Sequence, residues 1–68
     1  MKDIVINRVL DFRTKKRMTQ GELAEKVNVS RQTIIAIEKG NYSPSILLAL
    51  KIARVFKMSV EELFKLHI

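Results

Sequence analysis

Residues 19–40 read TQGELAEKVNVSRQTIIAIEKG, from Thr19 to Gly40, and this stretch decides the fold. It contains two short helical patterns, each preceded by a side chain that can accept hydrogen bonds from a helix N-terminus. Thr19 and Glu22 have the spacing of a capping box, in which each side chain bonds the backbone N–H of the other residue. Asn28 predicts a sharp turn between the patterns, because asparagine adopts the left-handed conformation more readily than most residues.

The two patterns are predicted to form helices that cross closely. The first runs from about Gln20 to Val27, and the second, capped by Ser30, runs from Arg31 to Lys39 and ends at Gly40. Two short helices joined by a turn of about four residues have the layout of a helix-turn-helix. The residues expected to hold these helices together are small or apolar, namely Leu23, Ala24, Val27, Val29, Ile34 and Ile37.

The second helix is predicted to begin with exposed polar side chains. Arg31 and Gln32 come first, and Thr33 and Ala36 follow on the same side. Arginine can form two hydrogen bonds with guanine, glutamine can form two with adenine, and the methyl groups of threonine and alanine can contact that of thymine. Each good pair of such bonds discriminates against a wrong base by about 1–3 kcal/mol. This pattern favours a helix that reads the major groove of double-stranded DNA.

The charge balance points to a polyanionic partner. Lysine and arginine number 13 against 7 aspartate and glutamate, which gives a net charge of +6 and an isoelectric point near 10.1. Nucleic acid is the first candidate and an anionic membrane surface the second; a merely basic domain is the third. The longest apolar runs, at 4–6 and 46–50, are far shorter than the roughly 18 residues of a membrane-spanning helix. The start lacks the apolar segment of a signal peptide, so we expect a cytoplasmic location.

Length and composition disfavour an enzyme. The chain has 68 residues, of which 47% are hydrophobic, so we expect one folded domain over 1–68 without room for a large catalytic cavity. It has no cysteine for a disulfide or a thiolate. Glu61 and Glu62 would point apart on a helix, and His67 has no second histidine to complete a metal site. We therefore expect no catalytic residues, no metal and no cofactor.

The remaining residues predict three further helices. Residues 7–17, with Asn7 as N-cap, form the first pattern. Ser45 begins a strongly apolar helix, Ile46–Phe56, and the Ser59–Glu62 spacing begins a short one at about 60–64. At helical spacing, one side of the apolar helix carries Ile46, Ala49, Leu50, Ile52, Ala53 and Phe56, and Leu48 and Val55 widen this stripe.

The two chain ends alternate between apolar and polar residues. The segments are 3–6 and 64–68, and we expect them to pair as a small antiparallel ladder. Frayed helix or coil at both ends is the alternative. The expected fold is all-α with five helices and this terminal ladder.

The motif resembles the DNA-binding module of the Cro/phage-repressor family, also called the Xre family. The likeness rests on Thr-Gln-x-Glu-Leu-Ala at 19–24, Ser-Arg-Gln-Thr-Ile at 30–34 and Glu-x-Gly at 38–40. It extends over about residues 8–64, with the helix-turn-helix motif at about 19–40. The resemblance implies a compact lambda-repressor-like domain. In this compact form the chain is similar to small repressors whose ends form a two-stranded sheet.

The resemblance also implies roles for individual residues. Arg31, Gln32 and Thr33 match base-facing positions, and Arg13 and Glu38 match a structural ion pair between the first and third helices. Residues matching positions that contact DNA phosphates are Gln20, Lys39, Asn41 and Tyr42. The chain departs from the family at Asn28, which replaces the usual glycine, and at Ile35 and Ala36, where many members have polar side chains. Base reading is therefore expected to be concentrated in Arg31 and Gln32.

The function expected from these residues is sequence-specific transcriptional regulation. A repressor acting as a homodimer would place two recognition helices in successive major grooves, about 34–36 Å apart, on a near-palindromic operator. No small-molecule effector is evident. The expected dimer interface uses the fourth and fifth helices and the tail, through Leu47, Leu48, Val55, Phe64 and Leu66.

Two other functions stay open at this point. An antitoxin or partner-binding module would use exposed Ile35, Leu47 and Leu48 to bind another protein, with DNA binding secondary. A membrane-surface protein is disfavoured, because the basic residues are spread over several elements rather than along one helix.

Overall fold

The computed structural model describes residues 4–67 of the chain, the side chain of His67 excepted. These residues contain five helices and two strands. In chain order they are β1 (Ile4–Asn7), α1 (Val9–Lys15), α2 (Gln20–Val27), α3 (Arg31–Glu38), α4 (Ile46–Phe56), α5 (Val60–Leu63) and β2 (Phe64–His67). The expected five-helix fold with a small terminal sheet is confirmed.

Helices α2, α3, α4 and α5 each begin at a side-chain cap. The hydroxyls of Thr19, Ser30, Ser45 and Ser59 each accept a hydrogen bond from a backbone N–H three residues later. In α2 and α5 the capping box is complete, because Glu22 and Glu62 accept the backbone N–H of Thr19 and Ser59. The predicted caps are confirmed at all four positions. They could be predicted from the sequence because both partners of each bond lie within one helical turn.

The two strands pair antiparallel, as expected for the chain ends. Val5 lies opposite Leu66, and Asn7 lies opposite Phe64. Because residues two apart share a face, these two pairs lie on one side of the sheet and Ile4 and Ile6 on the other. Residue 3 and residue 68, which the sequence also placed in this ladder, lie outside the described residues, as does the side chain of His67.

The core lies where α2, α3 and α4 meet. Leu23, Ile34, Ile37 and Ile52 have no exposed surface, and Leu63 of α5 is completely buried in the same core. Burial of one such side chain contributes about 1.5–3 kcal/mol. The ring of Phe12 lies 6.5 Å from that of Phe56 and joins α1 to this core. Packing therefore fixes α3 against α2 on one side and leaves its other side open.

The first helix is shorter than predicted. It spans Val9–Lys15 rather than 7–17, and Asn7 belongs to β1. The Asn7 Oδ1 accepts a hydrogen bond from the backbone N–H of Val9 at 3.1 Å. Asn7 therefore satisfies a backbone N–H at the start of α1 from the position before the N-cap residue. The fifth helix ends at Leu63, because Phe64 has extended backbone angles and begins β2.

The apolar stripe predicted for α4 is partly wrong. Ile46 and Leu50 were placed on its buried side, but their side chains are 79% and 54% exposed. Leu48, which was expected at an interface and as an exposed residue, is only 7% exposed and lies in the core. The predicted stripe was too wide, because α4 buries Leu48, Ala49, Ile52, Ala53 and Phe56 while the side that carries Ile46 and Leu50 stays uncovered.

Candidate nucleic-acid interface

The third helix presents two long polar side chains at its start. Ile34 and Ile37 have no exposed surface and anchor the helix to the core. Arg31 and Gln32 are exposed, one turn before these anchors. Arg31 and Gln32, two of the four predicted base-facing residues, are therefore accessible at the surface.

The remaining predicted base-facing residues are less accessible. Thr33 is half-buried, and its hydroxyl lies 3.0 Å from that of Ser30 in a hydrogen bond. Ala36 and its neighbour Ile35 are half-buried as well. Threonine therefore helps to close the helix start, and its methyl group is the part that remains for a base contact.

The turn between α2 and α3 is tightly closed. Asn28 has φ 61° and ψ 48°, the left-handed conformation that its residue type favours. The backbone N–H of Val29 then donates to the carbonyl of Ala24 at 3.0 Å. The angle between the two helices is held by these short-range bonds as well as by the buried side chains.

Arg13 and Glu38 form the predicted ion pair, with two parallel hydrogen bonds. Arg13 Nε donates to Glu38 Oε2 at 2.6 Å, and Nη2 donates to Oε1 at 3.1 Å. The third donor of Arg13, Nη1, bonds the carbonyl of Met18 at 2.8 Å. The Glu38 side chain is only 5% exposed. The pair joins the end of α1 to the end of α3, and the bond to Met18 ties Arg13 to the turn before α2.

Gln20, the first residue of α2, is part of the same network. Its Nε2 donates a hydrogen bond to Glu38 Oε1 at 3.0 Å. The amide nitrogen carries two hydrogens, so one holds the side chain in place while the other is free of this bond. The sequence placed Gln20 near a phosphate but did not link it to the ion pair.

The loop after α3 begins with a glycine in a left-handed conformation. Gly40 has φ 80°, and the backbone N–H of Asn41 closes the helix end on the carbonyl of Ala36 at 2.9 Å. Lys39, Asn41 and Tyr42 are all exposed. Three of the four side chains predicted to contact phosphates therefore lie on accessible surface just after the helix end.

Sequence reasoning missed two residues near this surface. Asn7 Nδ2 donates to the carbonyl of Ile37 at 2.8 Å, which ties β1 to the last turn of α3. Arg17 has a positive φ of 54° and lies in the turn before α2, although the sequence predicted it as the last residue of the first helix. A contact 30 positions away leaves no local signal for Asn7, and a positive φ is unusual enough for arginine that no pattern predicts it.

The residues predicted to form the dimer interface differ in the exposed fraction of their side chains. Leu47 and Leu66 are 65% and 63% exposed, whereas Val55 and Phe64 are half-buried. Phe64 borders an apolar groove of about 440 Å³ together with Ile46 and Leu50.

The helices and the potential metal ligands of residues 4–67 bear on two other kinds of site. None of their helices is both long and apolar enough to cross a membrane. Within the same residues, no three histidine or acidic side chains come together as metal ligands would.

The chain matches known regulators in sequence. The family model described as helix-turn-helix matches residues 9–63. An uncharacterized helix-turn-helix-type transcriptional regulator of Archaeoglobus fulgidus is 58% identical over 57 residues, which are 84% of this chain and 81% of the relative. The cryptic phage CTXphi transcriptional repressor RstR of Vibrio cholerae is 30% identical over 57 residues, which are 84% of this chain and 51% of the repressor.

Solved structures show the same architecture. The clp gene regulator ClgR from Corynebacterium glutamicum superposes with a TM-score of 0.74 at 30% identity, over 79% of this chain and 57% of that one. This chain therefore spans little more than half of ClgR. The restriction-modification controller protein C.AhdI from Aeromonas hydrophila superposes with a TM-score of 0.75 at 27% identity, over 81% of this chain and 83% of C.AhdI. Motif, fold and relatives agree, and the chain belongs to the helix-turn-helix family of DNA-binding transcriptional regulators.

Proposed function

We propose that this chain is a sequence-specific transcriptional repressor that binds a near-palindromic operator as a homodimer. The observation that carries the proposal is the start of α3, where Arg31 and Gln32 are exposed while Ile34 and Ile37 are completely buried. A helix anchored in this way can enter a major groove with its first turn against the base edges. The net charge of +6 attracts the phosphate backbone.

The base-facing residues are Arg31 and Gln32, with smaller contributions from the methyl groups of Thr33 and Ala36. Gln20 binds a phosphate through the amide hydrogen that Glu38 leaves available. The exposed loop side chains at 39, 41 and 42 bind phosphates on the other side of the helix. Phosphate contacts fix the register of the helix, and base contacts supply the sequence preference.

The homodimer is supported by apolar surface that the chain leaves uncovered. Leu47 is exposed on α4 and Leu66 is exposed on β2, whereas Val55 and Phe64 are half-buried. Large exposed apolar patches on a small soluble protein commonly mark interaction sites. A two-fold dimer through α4, α5 and β2 would present two recognition helices to half-sites about 34–36 Å apart.

Repression would follow from occupancy of an operator that overlaps a promoter. The similar protein RstR is named as a transcriptional repressor, which favours the same direction of control here. The chain would act as a single domain and in the cytoplasm, where its DNA is accessible.

The test separates base reading from phosphate binding. Sites selected from random duplex DNA by the wild-type protein are compared with those selected by Gln32→Ala and Gln20→Ala. Gln32→Ala should relax the preference at one position of each half-site, whereas Gln20→Ala should weaken binding to all sequences and leave the preference unchanged. If both variants lose affinity uniformly, the base-facing surface is assigned wrongly.

The rival proposal is a partner-binding module such as an antitoxin, for which the exposed Leu47 would contact a different protein. Sedimentation distinguishes the two. A purified chain that dimerises at micromolar concentration favours the homodimer, whereas a monomer that recovers a stoichiometric partner from its native cell favours the rival.

A further inference from the structure

An open groove of about 690 Å³ lies beside the start of the recognition helix. Its walls come from the end of α1, the turn into α2, the first residues of α2 and Arg31 of α3. The residues that matter to its chemistry are Arg13, Arg17, Gln20, Gly21 and Arg31. No carboxylate lines the groove among the described residues.

Two of its three guanidinium groups are uncommitted. Arg13 is fully engaged, because it bonds Glu38 and the carbonyl of Met18. Arg17 and Arg31 form no ion pair with any carboxylate of residues 4–67. Arg8, by contrast, lies 3.6 Å from Asp11 and over the ring of Phe12. The groove thus holds two positive charges that the fold itself does not neutralise.

The backbone of Arg17 is fixed in an unfavourable conformation. Its φ of 54° is in the left-handed region, which a side chain with a Cβ adopts at a cost. The N–H of Arg17 bonds the carbonyl of Thr14 at 3.0 Å, and the N–H of Met18 bonds that of Arg13 at 3.1 Å. These bonds fix the point from which the Arg17 side chain enters the groove.

Gly21 is not explained by packing within the chain. A glycine inside a helix is less stable than an alanine. A Cβ built at Gly21 would meet only the hydroxyl oxygen of Thr19, at an ordinary contact distance of 3.9 Å. The fold therefore has room for an alanine, and the missing side chain leaves the groove open to a molecule outside the fold.

We propose that this groove binds one backbone phosphate of duplex DNA, with Arg17 as its principal ligand and Gly21 as the open floor. The guanidinium of arginine matches a phosphate group in charge and in the geometry of two parallel hydrogen bonds. Arg31 forms the opposite wall and keeps its base-facing role. The inference rests on the proposed DNA-binding function and adds a phosphate ligand, Arg17, to it.

The first experiment compares Arg17→Ala with Lys16→Ala. Both variants lose one positive charge from adjacent, exposed positions, but Lys16 does not line the groove. Binding to a random-sequence duplex of about 30 base pairs is measured over a range of salt concentrations. One lost phosphate contact lowers the slope of log affinity against log salt by about 0.9, and we expect this for Arg17→Ala, with a much smaller change for Lys16→Ala.

Equal changes in the two variants would overturn the inference, because Arg17 would then act only through net charge. A wild-type protein that binds no duplex at all would instead overturn the proposed function. The two failures are therefore distinguishable.

A second pair of variants separates binding from folding. Arg17→Gly removes the unfavourable backbone conformation together with the guanidinium, and Gly21→Ala improves the helix while filling the floor. Both should keep or raise the melting temperature, and both should bind the duplex several-fold more weakly than the wild type. If Gly21→Ala is more stable and binds equally well, the open floor has no role in binding.

Discussion

Glu38 accepts three hydrogen bonds while its side chain is almost completely buried. Two come from Arg13, at 2.6 and 3.1 Å, and one comes from Gln20 at 3.0 Å. A buried charge is tolerated only when it is paired and hydrogen-bonded, because it loses its hydration. At the scale of single residues, this carboxylate holds three helices in one arrangement and positions the proposed phosphate contact of Gln20.

Glu38→Gln should destabilise the protein by about 3 kcal/mol, because it leaves the guanidinium of Arg13 buried without its counter-charge. The double variant Arg13→Met, Glu38→Leu should cost less than the sum of the two single changes, since no charge is then left unpaired. Urea denaturation of the wild type, Arg13→Met, Glu38→Leu and the double variant measures this coupling. Additive costs would show that the pair contributes little beyond its separate contacts.

Asn28 decides the turn between α2 and α3, and its conformation suits only a few residue types. With φ at 61°, glycine and asparagine are accommodated, whereas a β-branched side chain clashes with the backbone. Asn28→Gly should therefore change the unfolding free energy by no more than a few tenths of a kcal/mol, and Asn28→Val should cost about 1–2 kcal/mol. Thermal and urea denaturation of both variants provide the check, and equal stabilities would mean that the turn adapts.

At the scale of the helical elements, the two capping boxes make stability depend on pH. Hydrogen bonds from the backbone and hydroxyl of Thr19 lower the pKa of Glu22, and those of Ser59 lower the pKa of Glu62 in the same way. A carboxylate whose pKa is lower in the folded than in the unfolded state stabilises the fold above its unfolded pKa. That contribution is lost as the pH falls through the folded value.

Glu22→Gln should therefore be less stable than the wild type at neutral pH, and this difference should shrink as the pH falls through the lowered pKa of Glu22. Urea denaturation at a series of acid pH values measures the difference. Glu25→Gln, on the same helix but outside the box, controls for the loss of one negative charge. A difference that stays constant with pH would mean that the ionised form of Glu22 is not what caps the helix.

At the scale of the whole molecule, the main feature is apolar surface on α4 and the terminal sheet that the fold leaves exposed. Ile46, Leu47 and Leu66 are each more than 60% exposed. A chain of 68 residues has a small core and little stability to spare. A second copy that covered this surface would stabilise the fold by mass action.

Leu47→Glu should convert the proposed dimer to a monomer, because dimerisation would bury the new charge without a partner. Leu10→Glu is the matched control, since Leu10 is also an exposed leucine but lies on α1, outside the proposed interface. Sedimentation at micromolar concentration should show twice the chain mass of 7.9 kDa for the wild type and the control. The homodimer is refuted if all three proteins sediment as monomers.

Local features of this protein could be predicted from its sequence because their causes are local. The four serine and threonine caps, the left-handed Asn28 and the limits of α2 and α4 depend on residues within about one turn of each other. The Arg13–Glu38 pair came from family resemblance rather than from spacing. The predicted ladder of the chain ends was also supported by that resemblance, and the structure confirms it.

Only the tertiary structure decided which parts of each pattern face the core. The sequence showed a broad apolar stripe on α4, but in the folded chain Leu48 is buried while Ile46 and Leu50 are exposed. The bond from Asn7 to Ile37 and the meeting of Arg17 with Arg31 at one groove join residues far apart in the chain. The physical reason is that hydrogen bonds between neighbouring residues are encoded by spacing, whereas burial and long-range contacts depend on how the elements pack together.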